Sequence, residues 1–274
     1  MNLMDPQEMA QALGIPLFHT PFFLPDYPDG EWGQWRIGHT GTGIDHGYYT
    51  RQWVISGMPV LMRRNPQNPD AWETWMSLSA HEMESQEPGC MFAMGHTVIM
   101  GLGMGWIALN AAMNPSVTKV TVVELDQDVI SLFNSTGVLQ QVPQEIQTKI
   151  SIVHGDALDW RPQEPVDFLF ADIWRTLVEP DTLAGVSLMQ SHVQAWSVYF
   201  WGQELWLYSA FQRLFGAQAA LTREGIELCL EREFKLPLLL PWDAGYLDKI
   251  KAAAENRRNR GLPLEINQRH QWDL

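Results

Sequence analysis

From residue 96 onward the chain alternates short, fully apolar runs with longer runs of mixed polarity. The runs "HTVIMGLG" (96–103), "KVTVVEL" (119–125), "KISIVHG" (149–155), "VDFLFADIW" (166–174) and "WSVYFW" (196–201) have the length and β-branched or aromatic content of strands. Between the first three lie "WIALNAAMN" (106–114), which predicts a helix ending before Pro115, and "DQDVISLFNSTG" (126–137), a helix with Gly137 as its cap. Apolar strands alternating with helices imply a parallel sheet covered on both faces. The expected fold class is therefore α/β: a Rossmann-like, doubly wound, mostly parallel sheet.

The pattern differs on either side of this block. A short helix is expected at 5–13, followed by "HTPFFLPDYPDGEWG" (19–33), whose prolines exclude a helix. Residues 31–76 read as short strands, with "YYTRQWVISG" and "MPVLMRR" forming a hairpin about Gly57. "SAHEMESQ" (79–86) opens a helix, where Ser79 and Glu82 have capping-box spacing, and the pattern is expected to turn to strand after "EPG" (87–89). Near the end, 204–215 reads as a helix, 221–241 as a helix then a strand, and 244–261 as a polar helix with a solvated charged face. We expect a β-rich appendage over 1–76 and a Rossmann-like part over 77–274.

Composition narrows the classes. A net charge of −14 disfavours nucleic-acid or anionic-membrane partners, because those surfaces repel acids. No apolar run has the length of a membrane span, and the N-terminus carries early acids and no basic region, so a cytoplasmic protein is expected. Cys90 and Cys229 form neither a disulfide framework nor a zinc pattern, and His39 and His46 read as loop residues. The 13 tryptophans, from Trp32 to Trp272, are expected to serve core and rim packing.

The candidate chemistry centres on "GLGMGWIALN" (101–110). Gly101, Gly103 and Gly105 end the first apolar strand and open a helix, where a bare backbone turns tightly and approaches a ligand. Glu124 ends the next strand, placed to accept from both ribose hydroxyls, with Asp126 just beyond. A dinucleotide fingerprint is G-x-G-x-x-G; here the third glycine falls one place early and the bulky Trp106 takes its position. The G-x-G-x-G form resembles that of the class I S-adenosylmethionine-dependent methyltransferases. That resemblance implies that Asp156 in "HGDAL", with Ala157 beside it, receives the adenine amino group, and that Asp172 in "FADIW" faces the sulfonium.

The order of features resembles the spermidine synthase family more closely: a β-rich start, "HEM" on a helix, the glycine turn, "VVELD", "GDAL", an acid after the fourth strand, and "YFWGQELWLYSAF" with Gln203. The resemblance spans about residues 30–215. It implies a small β domain on a methyltransferase-like Rossmann domain, a homodimer, a small-molecule substrate, and His81 and Glu82 roofing the cofactor. Members transfer an aminopropyl group from decarboxylated S-adenosylmethionine to a polyamine. This chain departs at the amine-binding positions. Met104 stands where the family carries an acid for the donor amine, Ala80 where it carries a tyrosine, and Ile173, Trp174 and Arg175 where it carries an acid-rich loop.

Three functions follow, each with S-adenosylmethionine or a derivative (S-adenosylhomocysteine, decarboxylated S-adenosylmethionine) as ligand. The leading one is methyl transfer, in which the protein aligns an acceptor with the methyl group and excludes water. Asp172 then orients or deprotonates the acceptor, or merely touches the cofactor. Arg175 binds a substrate carboxylate or phosphate, or pairs with Glu179 at i,i+4 spacing. The alternatives are aminopropyl transfer to a polyamine and a non-catalytic adenosyl-binding protein. No Walker loop, H-E-x-x-H or G-x-S-x-G motif occurs.

Overall fold

The structure is a computed structural model that describes residues 5–264. Helix α1 (Pro6–Leu13) is capped by Asp5, whose carboxylate accepts from the backbone N–H groups of Gln7 and Glu8. Six strands follow: β1 (Gly30–Trp32), β2 (Trp35–His39), β3 (Gly43–His46), β4 (Gln52–Ile55), β5 (Pro59–Arg64) and β6 (Trp72–Ser77). They form a four-stranded sheet in the order β1-β2-β5-β6 and a separate β3-β4 pair. The hairpin expected about Gly57 is therefore absent. Strand β4 pairs with β3, and β5 pairs with β2 and β6. Gly57, at φ +64, marks the passage between sheets rather than a turn within one. His39 and His46 close strands β2 and β3 and are not loop residues.

Helix α2 (Ala80–Phe92) begins at Ser79, whose hydroxyl accepts from the Glu82 N–H at 3.3 Å. Only half of the expected capping box forms, because the Glu82 carboxylate accepts from the N–H of Ser77 instead of Ser79. The helix runs through "EPG" and ends at Phe92, and the strand expected after it follows as Gly95–Met100. Pro88 removes one donor, but Gly89 lets the helix lie against the sheet: a Cβ there would sit 2.9 Å from the Phe170 ring. Tertiary packing overrides the local breaker signal.

The Rossmann-like part then runs β7 (Gly95–Met100), α3 (Trp106–Met113), β8 (Val117–Glu124), α4 (Gln127–Thr136), α5 (Gln144–Gln147), β9 (Ile150–His154), β10 (Phe168–Ala171), α6 (Thr182–Val193) and β11 (Ser197–Phe200). All four pairings are parallel, and the sheet order is β11-β10-β7-β8-β9. Counted from β7, this is the 3-2-1-4-5 order of a doubly wound fold, which reverses beside β7 and opens a crevice at the carboxyl ends of the strands. Strands β7, β10 and β11 are almost wholly buried, as apolar runs between two helical layers must be, whereas β9 at the sheet edge carries no fully buried residue.

Three further helices close the chain: α7 (Gln203–Phe215), α8 (Arg223–Cys229), which continues as a π turn over Leu230–Phe234, and α9 (Tyr246–Asn259). The strand expected after α8 shrinks to one bridge, Leu238 to Val198 on β11. Helix α9 is less solvated than its charges suggest. It buries Tyr246, Ile250, Ala253 and Ala254, while Lys249 and Arg258 lie over the rings of Tyr49 and Tyr208. Cys90 and Cys229 are buried and unbonded. No described helix is long and apolar enough to cross a membrane. Trp272 and the end of the expected second part lie outside the described residues.

One core joins the sheets: Trp35, Ile37 and Leu61 of the antiparallel sheet pack in the same cluster as Ile99, Trp106 and Phe133. That contact lays the antiparallel sheet over the mouth of the crevice.

Candidate functional site

A cavity of about 550 Å³ fills the crevice, within the range of about 300–1,000 Å³ usual for small-molecule sites. Its floor is the carboxyl ends of β7, β8, β9 and β10, and its cover is Trp35, Leu61, Arg63, Trp75 and Met76 of the antiparallel sheet.

The three glycines of the turn have different tasks. Gly101 (φ +100) and Gly103 (φ +51) line the cavity, and a Cβ on either would meet Asp172 O at 2.1 Å or Met76 Sδ at 2.4 Å. Gly105 (φ +77) lies off the cavity, where a Cβ would fall 2.2 Å from the Phe133 ring. It serves helix packing, as the third glycine of a nucleotide turn does. Met104 points away too: it is 1% exposed within the core, and its carbonyl accepts from the Tyr27 hydroxyl at 3.0 Å. Trp106 opens α3, lines the cavity, and meets the Phe22 ring edge-on at 5.7 Å. Its Nε1 is buried without a partner.

The acids after β8 and β9 form one end of the cavity. Both Glu124 oxygens accept backbone N–H groups, from Leu102 at 2.9 Å and from Asp126 at 2.8 Å. Burial raises its pKa, and those N–H groups oppose the rise. A carboxylate has about four acceptor positions, so capacity remains for hydroxyls. Asp126 caps α4 through Asp128 N and accepts from Trp35 Nε1 at 2.8 Å, clasping the cover to the floor. Asp156 is exposed and accepts from Leu158 N at 2.9 Å through one oxygen; Ala157 is buried beside it.

The other end is built by α2 and β10. Asp172, just past β10, accepts from Gln86 Nε2 at 3.1 Å. Burial pushes its carboxyl up to about 7. Glu82 lines the same end; burial first, then the Asp172 charge, hold it at about 8 against the Ser77 donors. Gln86 is 1% exposed, lines the cavity, and its Oε1 has no partner. Trp201 walls this end, fixed by its Nε1 donating to Ser85 Oγ at 2.7 Å.

Arg175 lies at the rim. Its guanidinium donates to Thr74 O at 3.1 Å, approaches Glu73 at 3.6 Å, and stands 5.5 Å from the Trp75 ring. The pairing with Glu179 does not form, because residues 175–179 are not helical. Glu179 instead accepts from the N–H groups of Arg175 and Thr176, both at 2.9 Å.

Two expected positions lie elsewhere. His81 is off the cavity, edge-on to Tyr48 at 5.4 Å, and burial lowers its pKa to about 4. Gln203 is fully buried behind β11, donating to Leu239 O and Tyr246 Oη. It belongs to a buried cluster about Glu204, whose carboxylate accepts from the hydroxyls of Tyr48, Tyr199 and Tyr246.

Sequence reasoning missed Gln86, Arg63, Trp75 and Trp201. Two signals were present: Gln86 lies i+4 from Glu82 on one helix face, and Arg63 lies i+2 from Leu61 on one strand face. Five tryptophans line the cavity (Trp35, Trp75, Trp106, Trp174 and Trp201), where packing alone was expected.

No family model matches the chain, and no curated protein does. Among solved structures it is similar to the glycopeptide N-methyltransferase MtfA complexed with S-adenosyl-L-methionine, at 18% identity over 40% of this chain and 48% of that one, with a TM-score of 0.32. It is also similar to the DhpI–S-adenosylhomocysteine complex, at 18% identity over 41% and 49%, with a TM-score of 0.30. A third is the methyltransferase domain of bacterial CtHen1-CN, at 13% identity over 55% and 80%, with a TM-score of 0.34. The chain spans about half the length of the first two. The strand order, rather than these partial likenesses, defines the fold as Rossmann-like and doubly wound.

Proposed function

We propose that the protein is an S-adenosylmethionine-dependent methyltransferase acting on a small molecule. The observation that carries this is one cavity with two differently built acidic ends: Glu124 and Asp156 at strand ends for the nucleoside, and Asp172 held by Gln86 for the acceptor. The residues suit the cofactor: Gly101 and Gly103 line the cavity and leave a cradle that side chains would fill. On this reading Gly101 and Gly103 admit the methionine part, Glu124 holds the ribose, and Asp156 and Ala157 receive the adenine.

When bound, the cofactor supplies a methyl group activated by its sulfonium. The chain does the rest. Gln86 fixes the Asp172 carboxylate, which accepts the acceptor's proton once ionised, above about pH 7. Trp174 and Trp201 wall off water at that end. Arg175, matched by Glu73 and Thr74, shapes the rim.

Aminopropyl transfer to a polyamine is the second reading, favoured by the two acids Glu82 and Asp172, which suit an ammonium. Calorimetry with S-adenosylmethionine, its decarboxylated form and NADH separates these readings, followed by transfer of labelled methyl to the small molecules of a cell extract. Binding of S-adenosylmethionine with label transfer is expected. Binding of NADH alone would sink the proposal. Preference for the decarboxylated donor with putrescine turnover would select the second reading, and binding without any turnover would make this a non-catalytic binding protein.

A further inference from the structure

The cavity wall carries five acids, Glu82, Glu124, Asp126, Asp156 and Asp172, but only two cations, Arg63 and Arg175. An anionic group entering it has few places to go. Arg175 already meets Glu73 and the Thr74 carbonyl. Arg64, next to Arg63 on β5, is paired with Glu31 at 2.6 Å. Arg63 has no acid partner among the described residues, although it faces Glu73 in the β5–β6 register. Its guanidinium lies against two indoles that meet each other edge-on, 5.5 Å from the Trp35 ring and 5.7 Å from the Trp75 ring. Its Nε is buried with no acceptor.

An arginine packed against rings loses little further side-chain entropy when its planar fork receives a carboxylate. The cover that carries Arg63 also carries Met76, whose sulfur rests over Gly103, so this strand pair lies against the glycine turn. We infer that Arg63 receives the α-carboxylate of the donor's methionine part and makes the site select S-adenosylmethionine over its decarboxylated form. The inference rests on the methyltransferase reading and names the residue that enforces it.

The test is calorimetry on the full chain and on Arg63→Met and Arg63→Lys. The probes are S-adenosylmethionine, decarboxylated S-adenosylmethionine and 5′-methylthioadenosine, which keeps the nucleoside and lacks the carboxylate. Arg63→Met is expected to weaken S-adenosylmethionine by about ten- to a hundredfold, the scale of a hydrogen bond to a charged group. The decarboxylated donor and methylthioadenosine should stay within about twofold, which also shows that the variant pocket is folded. Arg63→Lys, which keeps the charge without the fork, should lose less than Arg63→Met. Equal losses for all three probes would make Arg63 a wall residue and overturn the inference while leaving the methyltransferase reading standing. No change for any probe would likewise exclude the donor carboxylate as its partner. A wild-type protein that binds none of the three would sink both readings together.

Discussion

The two ends of the cavity use the same chemical group, a carboxylate, and treat it differently. At the outer end, Glu124, Asp126 and Asp156 spend oxygens on backbone N–H groups, and Asp156 stands exposed. At the inner end, Glu82 and Asp172 are desolvated together, with one amide, Gln86, between α2 and β10. At Glu124 the ordered N–H donors oppose the rise that burial causes and hold the carboxylate rigid, which suits holding hydroxyls. Desolvation raises an acid's proton affinity towards neutrality, which suits moving a proton. The difference separates recognition from chemistry more sharply than residue type does.

Breaking the inner end should have the largest effect. Asp172→Asn is expected to lower the transfer rate at saturating donor by about 10²–10⁴-fold while leaving the donor Kd nearly unchanged, checked by single-turnover kinetics beside calorimetry. In the wild type that rate should rise with pH through about 7, because only the ionised carboxylate accepts a proton. Breaking the outer end should do the reverse: Glu124→Gln weakens the donor by about ten- to a hundredfold and spares the saturated rate.

A smaller effect concerns stability. The folded pKa values of Asp172 and Glu82, about 7 and about 8, lie above the unfolded carboxyl range of about 4. The folded state therefore binds more protons, and its stability is lost as pH rises from about 4 through those values. Glu82→Gln should flatten the upper part of this fall by a few degrees in Tm between pH 6 and 9, about the scale expected for a loss of this size. The smallest change is expected for Asp156→Asn, about two- to tenfold in donor affinity, since an exposed acid gives a solvent-competed hydrogen bond.

How much of this was legible follows from where each signal sits. The parallel sheet was readable because its central strands, buried on both faces, must be written in apolar runs. Glu124 and Asp156 were readable because they directly follow such runs. Met104 was not: the turn's spacing places it in the motif, yet the chain direction after Gly103 sends its side chain into the core. The pairing of β4 and β5 was misread because adjacency in sequence favours a hairpin, whereas β5 finds a longer partner in β2. Gln203 appeared functional from its neighbours, but its amide is consumed behind β11. For the cover residues Arg63 and Trp75, alternation groups Arg63 with Leu61 on one strand face, but which sheet that face lies over is a long-range fact no local pattern encodes.

The Glu204 cluster has a practical corollary for anyone trimming the chain. Tyr48 comes from the covering region, Tyr199 from β11 and Tyr246 from the start of α9, so one acid staples three distant stretches of sequence. A fragment cut after α7, near residue 216, would keep every wall of the cavity yet strand that acid without its closest phenol. The helices beyond it thus brace the cavity-bearing part, and excision of a minimal domain should be planned after residue 259 rather than near residue 216.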